Sequence, residues 1–183
     1  VGTNDDWVRY IVAPALVVAT ASAYATQYLT VEQAQRLMFG ASARFDRRDL
    51  KFDQQAAREI ERRSGVRVRL LEQPLWEVRE NGARAGYFVV DEVIGKHELI
   101  TYAVALNLDG RVKQIEILDY RENYGYEIRN AAWRAQFAGR SAADALKLDA
   151  DIRNISGATL SCRHVTEGVR RLLAMYELLL RDR

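Results

Sequence analysis

The apolar and polar positions fall into three different rhythms along the chain. The first is a block. Between Arg9 and Glu32 no charged residue occurs, and Val, Ala, Leu and Ile dominate residues 10–31. As a helix, such a run spans a hydrocarbon core of about 30 Å. Thr20, Ser22, Thr26 and Gln27 dilute it, and Pro14 falls in its first turns, where a helix tolerates proline best. It reads as a retained single-span anchor with Tyr24 and Tyr28 as interfacial aromatics. The alternatives are a cleaved secretory signal, with Ala23-Tyr24-Ala25 as the cleavage site, and a buried core helix. Asp5 and Asp6 speak against the basic leader of a signal peptide. Arg9, on the N-terminal side, places the N-terminus in the cytoplasm and the rest of the chain across the membrane. Two regions follow: residues 1–29 as membrane anchor or signal peptide, and residues 30–183 as a folded domain.

The second rhythm is helical. Thr30 with Gln33 three residues on predicts a capped helix start, with an end at Gly40. Residues 53–63 predict a second helix stopped by Ser64-Gly65, and residues 45–50 read as irregular. The third rhythm is a period of two. Val66-Arg67-Val68-Arg69-Leu70 alternates as a half-buried strand does. Residues 75–80, 83–93, 100–108 and 111–118 follow, with Asn81-Gly82 and Asp109-Gly110 as tight hairpins. Helix then returns over residues 131–137, with a turn at 142–146. A long helix over residues 161–180 carries Val165, Val169, Leu172, Leu173 and Tyr176 on one face. The order predicts an α+β fold: an antiparallel meander of four or five strands flanked by helices and preceded by one N-terminal transmembrane or signal helix.

Composition removes several classes of function. With 183 residues, 49% hydrophobic and 28% charged, the chain can build a core. One Cys rules out an internal disulfide and a Cys-built metal or iron–sulfur site, and two His leave little for a His-built one. A net charge of +2, with Arg scattered among Asp and Glu, does not predict a nucleic-acid partner. There is no Ser-His-Asp array, no paired catalytic carboxylates and no P-loop.

The informative stretch is Ser156-Gly157-Ala158-Thr159-Leu160-Ser161, at the start of the last predicted helix. Small residues let a backbone approach a ligand closely, and the N–H groups and dipole at a helix start favour an anion such as phosphate. An ordinary N-cap at Thr159 or Ser161 is the alternative reading of the same residues.

Ser156-Gly157-Ala158-Thr159, followed by Leu160-Ser161, resembles the flavinylation motif of the FMN-binding domain family. That family includes the C subunit of the sodium-translocating NADH:quinone oxidoreductase, the G subunit of the Rnf complex and the periplasmic domain of NosR-type regulators. Residues 91–98, 100–104, 120–129 and 136–139 also resemble family segments. The resemblance implies FMN as cofactor, joined through its phosphate to the Thr159 hydroxyl by a separate flavin transferase. It implies that Glu122, Tyr124 and Gly125 border the flavin ring, with Tyr124 or Tyr126 stacking on it. It further implies an electron-transfer subunit of a bacterial inner-membrane complex, with its domain on the periplasmic side. Its partners would be other membrane-embedded redox or protein subunits and the lipid bilayer. One position departs from the motif: Arg153 stands where the family carries Asp. A guanidinium there reverses the charge met by a transferase and favours a neighbouring phosphate. A flavin-free accessory subunit is the alternative function.

Three further residues carry chemistry. His97 lies in a turn between strands, either near the flavin or paired with Glu98. His164 lies one turn into the last helix. Cys162 is either activated by the helix start or a small buried filler.

Overall fold

The computed structural model describes residues 26–122 and 124–181. Eight strands and four α-helices follow one another: β1 (Thr26–Gln27), α1 (Val31–Phe39), β2 (Arg44–Arg47), β3 (Leu50–Lys51), α2 (Gln54–Ser64), β4 (Glu72–Gln73), β5 (Leu75–Glu80), β6 (Ala83–Ile94), β7 (Leu99–Asn107), β8 (Val112–Tyr120), α3 (Ala131–Arg134) and α4 (Thr159–Leu179). The predicted α+β class is the observed one.

The main sheet is antiparallel in the order β1-β8-β7-β6-β5-β2, and β3 pairs with β4 apart from it. The central meander follows from local chemistry. Asn81 (φ 51°) and Gly82 (φ 81°) both take positive φ, as a tight type I′ hairpin requires. The N-terminal helices also form as their ends dictate. Thr30 and Gln33 close a reciprocal capping box on α1, and Asp53 caps α2, which stops at the left-handed Gly65.

Period-two alternation sends the strand residues to two cores. Tyr87 and Val89 of β6, Tyr102, Val104 and Leu106 of β7, and Ile115 and Ile117 of β8 pack on one face with α2 and α4. Phe88, Ala103, Ala105 and Leu118 pack on the other with Met38 and Phe39 of α1. The sheet is therefore a middle layer, and β7 is buried on both sides.

Two predicted stretches differ. Residues 66–70 form no strand. Both edges of β5, the next strand of the main sheet, are taken by β2 and β6. Within the alternating segment, Val68 packs on the core and its backbone N–H is held by Glu61 Oε1 at 2.8 Å. Residues 45–50, read as irregular, contain most of β2. Charged side chains on an edge strand hide its pattern, and only Phe45 turns to the core.

The end of the uncharged N-terminal run belongs to the sheet: Thr26 and Gln27 pair with Tyr120 and Asp119. Tyr28, expected at a membrane interface, packs on the core, with the Arg129 guanidinium 3.4 Å above its ring. The rest of the predicted span lies outside the described residues. Among the described residues no helix is long and apolar enough to cross a membrane.

Candidate functional site at the start of the last helix

The long helix α4 begins two residues earlier than its apolar periodicity predicts, at Thr159. Its N-cap position is Ala158, and among the described residues no side chain caps it. Alanine is among the poorest N-caps. The N–H groups of Thr159, Leu160 and Ser161 precede the first i→i−4 bond of the helix, from Cys162 N–H to Ala158 C=O at 2.9 Å. Neither hydroxyl fills the gap. Thr159 is the first helical residue, and Ser161 is buried and turned to Tyr120. The N-cap reading of these hydroxyls is therefore incorrect, and the helix start is left open with its positive dipole end outward.

The turn before it is built for close approach. Gly157 has φ +86° with nothing near a would-be Cβ, and Ser156 and Gly157 are both exposed. Asn154 Nδ2 donates to Thr159 Oγ1 at 3.1 Å. Arg153, at the departing position, is exposed. Its backbone is clamped on both sides, the N–H by Gln136 Oε1 and the C=O by Trp133 Nε1, each at 2.8 Å.

The loop after β8 is brought against this start. A Cβ on Gly125 (φ +90°) would stand 2.6 Å from Tyr120 Oη and 3.3 Å from Ala158 Cα, so only glycine fits between them. Tyr120 O–H donates to Tyr124 C=O at 2.5 Å and lies 3.1 Å from Ser161 Oγ, which ties loop and helix through one hydroxyl. Burial, the largest cause, pushes the Tyr120 phenol up, so it stays protonated as this donor. Tyr124 (83% exposed) and Tyr126 (58%) stand on either side of Gly125 in the chain, and Leu160 in the first turn of α4 is 38% exposed.

Glu122, expected to border a flavin ring, is held against the turn after β6. Its Oε1 accepts the backbone N–H groups of His97 (2.5 Å) and Glu98 (3.0 Å). Burial raises its carboxyl, but the amides of Glu98, His97 and Lys96 together outweigh that, and the net value lies below the ordinary glutamate range. The expected His97–Glu98 partnership is replaced by this shared hold on Glu122. His164 Nδ1 meets the carbonyls of Ile94 (2.5 Å) and Gly95 (3.1 Å), which fixes α4 to the end of β6. Cys162 is fully buried, and burial pushes its thiol up to about 11. It is the filler, not an activated nucleophile. Among the described residues no group of His, Cys, Asp and Glu could hold a metal ion.

Sequence reasoning passed over two features. Asn154 belongs to no motif, and its reach to Thr159 depends on the turn between them. A buried polar cluster two turns beyond His164 was also passed over. Arg171 Nη2 donates to Asp91 Oδ1 at 2.6 Å, and Tyr102 O–H donates to the other carboxylate oxygen. Beside it runs a groove of about 640 Å³ between α4, the end of β6 and residues 67–74.

Residues 95–174 match the family model of the FMN-binding domain, a span that takes in the Glu122 clasp, the Tyr120–Gly125 loop, the motif and most of α4. FMN is the cofactor of this domain. An uncapped helix start, a positive-φ glycine and exposed tyrosines fit a phosphate-bearing aromatic cofactor. Among solved structures the fold is similar to that of NqrC from Shewanella oneidensis. Identity is 17%, the TM-score is 0.53, and the match covers 78% of this chain and 87% of that one. No curated protein matches the chain in sequence.

Proposed function

We propose that this chain is a membrane-anchored electron-transfer subunit carrying FMN on Thr159 through a phosphoester. The observation that carries the reading is Thr159 at the first position of a 21-residue helix that no described side chain caps, within the matched FMN-binding span. The helix start receives the phosphate, and Gly157 allows the approach. Tyr124 and Tyr126 offer exposed rings to the flavin, and the Gly125 contact holds their loop in place. FMN, once bound, supplies the electron chemistry, while the protein binds and orients it. Its partners are other subunits of a bacterial inner-membrane complex, and similarity to NqrC in fold supports such a setting. The folded domain lies on the periplasmic side.

Co-expression with a flavin transferase tests the attachment. The intact mass is expected to exceed that of the polypeptide by one FMN less water, and Thr159→Ala to lose the increment. An unmodified parent protein would reject covalency. Arg153 in the motif supports a second reading, a flavin-free accessory subunit, which predicts a purified protein with no flavin absorption. The anchor is tested by N-terminal sequencing of the native protein. A mature N-terminus at Thr26, the first residue of β1, would show a cleaved signal in place of an anchor.

A further inference from the structure

Asn154 makes two hydrogen bonds that define its orientation. Its Oδ1 accepts the N–H of Ile155 at 2.8 Å, and its Nδ2 donates to Thr159 Oγ1 at 3.1 Å. Because the backbone donor must meet an oxygen, the amide group cannot be turned over, and Thr159 faces an N–H. The residue is held from outside as well. On one side, the Arg153 peptide is clamped by Gln136 and Trp133. On the other, Ile155 packs on the core, and its C=O accepts the Ala158 N–H at 3.0 Å. Asn154 is half-buried and rigidly mounted, while the hydroxyl it holds belongs to a helix start with no cap.

We propose that Asn154 is a positioning residue for flavin attachment: it holds the Thr159 oxygen in one rotamer and turns its O–H away from the protein. This rests on the reading of Thr159 as the attachment point. In the transfer, Thr159 Oγ1 forms a bond to the phosphorus of a flavin nucleotide activated as a phosphoanhydride. The anhydride P–O bond breaks, a nucleoside monophosphate leaves, and the hydroxyl proton passes to a base. An amide N–H cannot accept that proton, so the base comes from the transferase, and Asn154 acts by orientation alone. The same N–H then donates to the ester oxygen of the product.

The test is a labelling time course on the full chain with a flavin transferase and flavin adenine dinucleotide, read by intact mass. Asn154→Leu is expected to slow labelling about tenfold, the effect of losing one neutral hydrogen bond. Asn154→Ser guards against misfolding: its hydroxyl can still accept the Ile155 N–H but is too short to reach Thr159. It is expected to slow labelling similarly with an unchanged unfolding midpoint. A cycle with Thr159→Ser separates positioning from a merely structural role. Serine lacks the methyl that also restrains the rotamer, so Asn154→Leu should cost more there than in the parent. Equal rates for parent and Asn154 variants, or the same factor in both backgrounds, would overturn the role of Asn154 alone. No adduct on the parent would overturn the attachment reading and this inference with it.

Discussion

The middle and the start of α4 treat polar groups in opposite ways. In the middle, Arg171 and Asp91 form an ion pair with side chains only 14% and 9% exposed. Tyr102 completes the carboxylate's bonding, and Gly168 leaves its hydroxyl room, since a Cβ there would stand 2.0 Å from Tyr102 Oη. At the start, Ala158 occupies the N-cap, Thr159 is partly exposed, and Leu160 beside it is 38% exposed. The Arg171–Asp91–Tyr102 cluster satisfies its carboxylate from within the fold, as buried groups must. The helix start leaves backbone donors to be met from outside. The difference teaches where to look for a ligand: at the end of the helix that the fold leaves unfinished.

The largest effect should come from unbalancing the buried pair. Arg171→Met strands the Asp91 carboxylate and is expected to cost about 3–5 kcal/mol in urea unfolding. Adding Asp91→Leu should restore much of that loss, because no lone charge then remains. A similar loss in single and double variants would show that packing, not charge, dominates there. Next in size is Gly168→Ala, expected to cost about 1–3 kcal/mol through overpacking against Tyr102. Tyr102→Phe, which removes the crowded oxygen, should recover part of it.

At the open end, Thr159→Ala should abolish the FMN adduct yet change stability by less than about 1 kcal/mol, since only the neutral bond from Asn154 is lost. A large stability loss would mean that Thr159 is a structural residue, and the contrast between the two regions would fail. The smallest effect concerns pH. Glu122 has its folded carboxyl value below the ordinary one, so its clasp on residues 97–98 contributes fully above the unfolded value. That contribution is lost as pH falls through the lowered folded value. Amide resonances of His97 and Glu98 should report this acid transition, and Glu122→Gln should remove it.

Much of this molecule is written locally. The Thr30 and Gln33 capping box, the left-handed Gly65, the Asn81-Gly82 hairpin and the alternation of β7 each depend on neighbours a few residues apart. So does the small-residue motif at residues 156–161: an anion site was legible there because the residues that let a backbone meet a phosphate are contiguous, while the flavin came from the family resemblance. Partnerships across the chain were not legible in this way. The Glu122 carboxylate accepts amides 24 and 25 positions earlier, a pairing that no local pattern announces. The strand-like rhythm of residues 66–70 made no strand, because Glu61 and the core hold Val68 instead. Whether Ser161 capped the helix or bonded Tyr120 was decided by where β8 ends, 41 positions before it. Local pattern fixes backbone conformation because torsional preference and capping act over one turn. Side-chain destinations are set by competition among donors and acceptors that only the packed sheet and helix bring within 3 Å or so of each other.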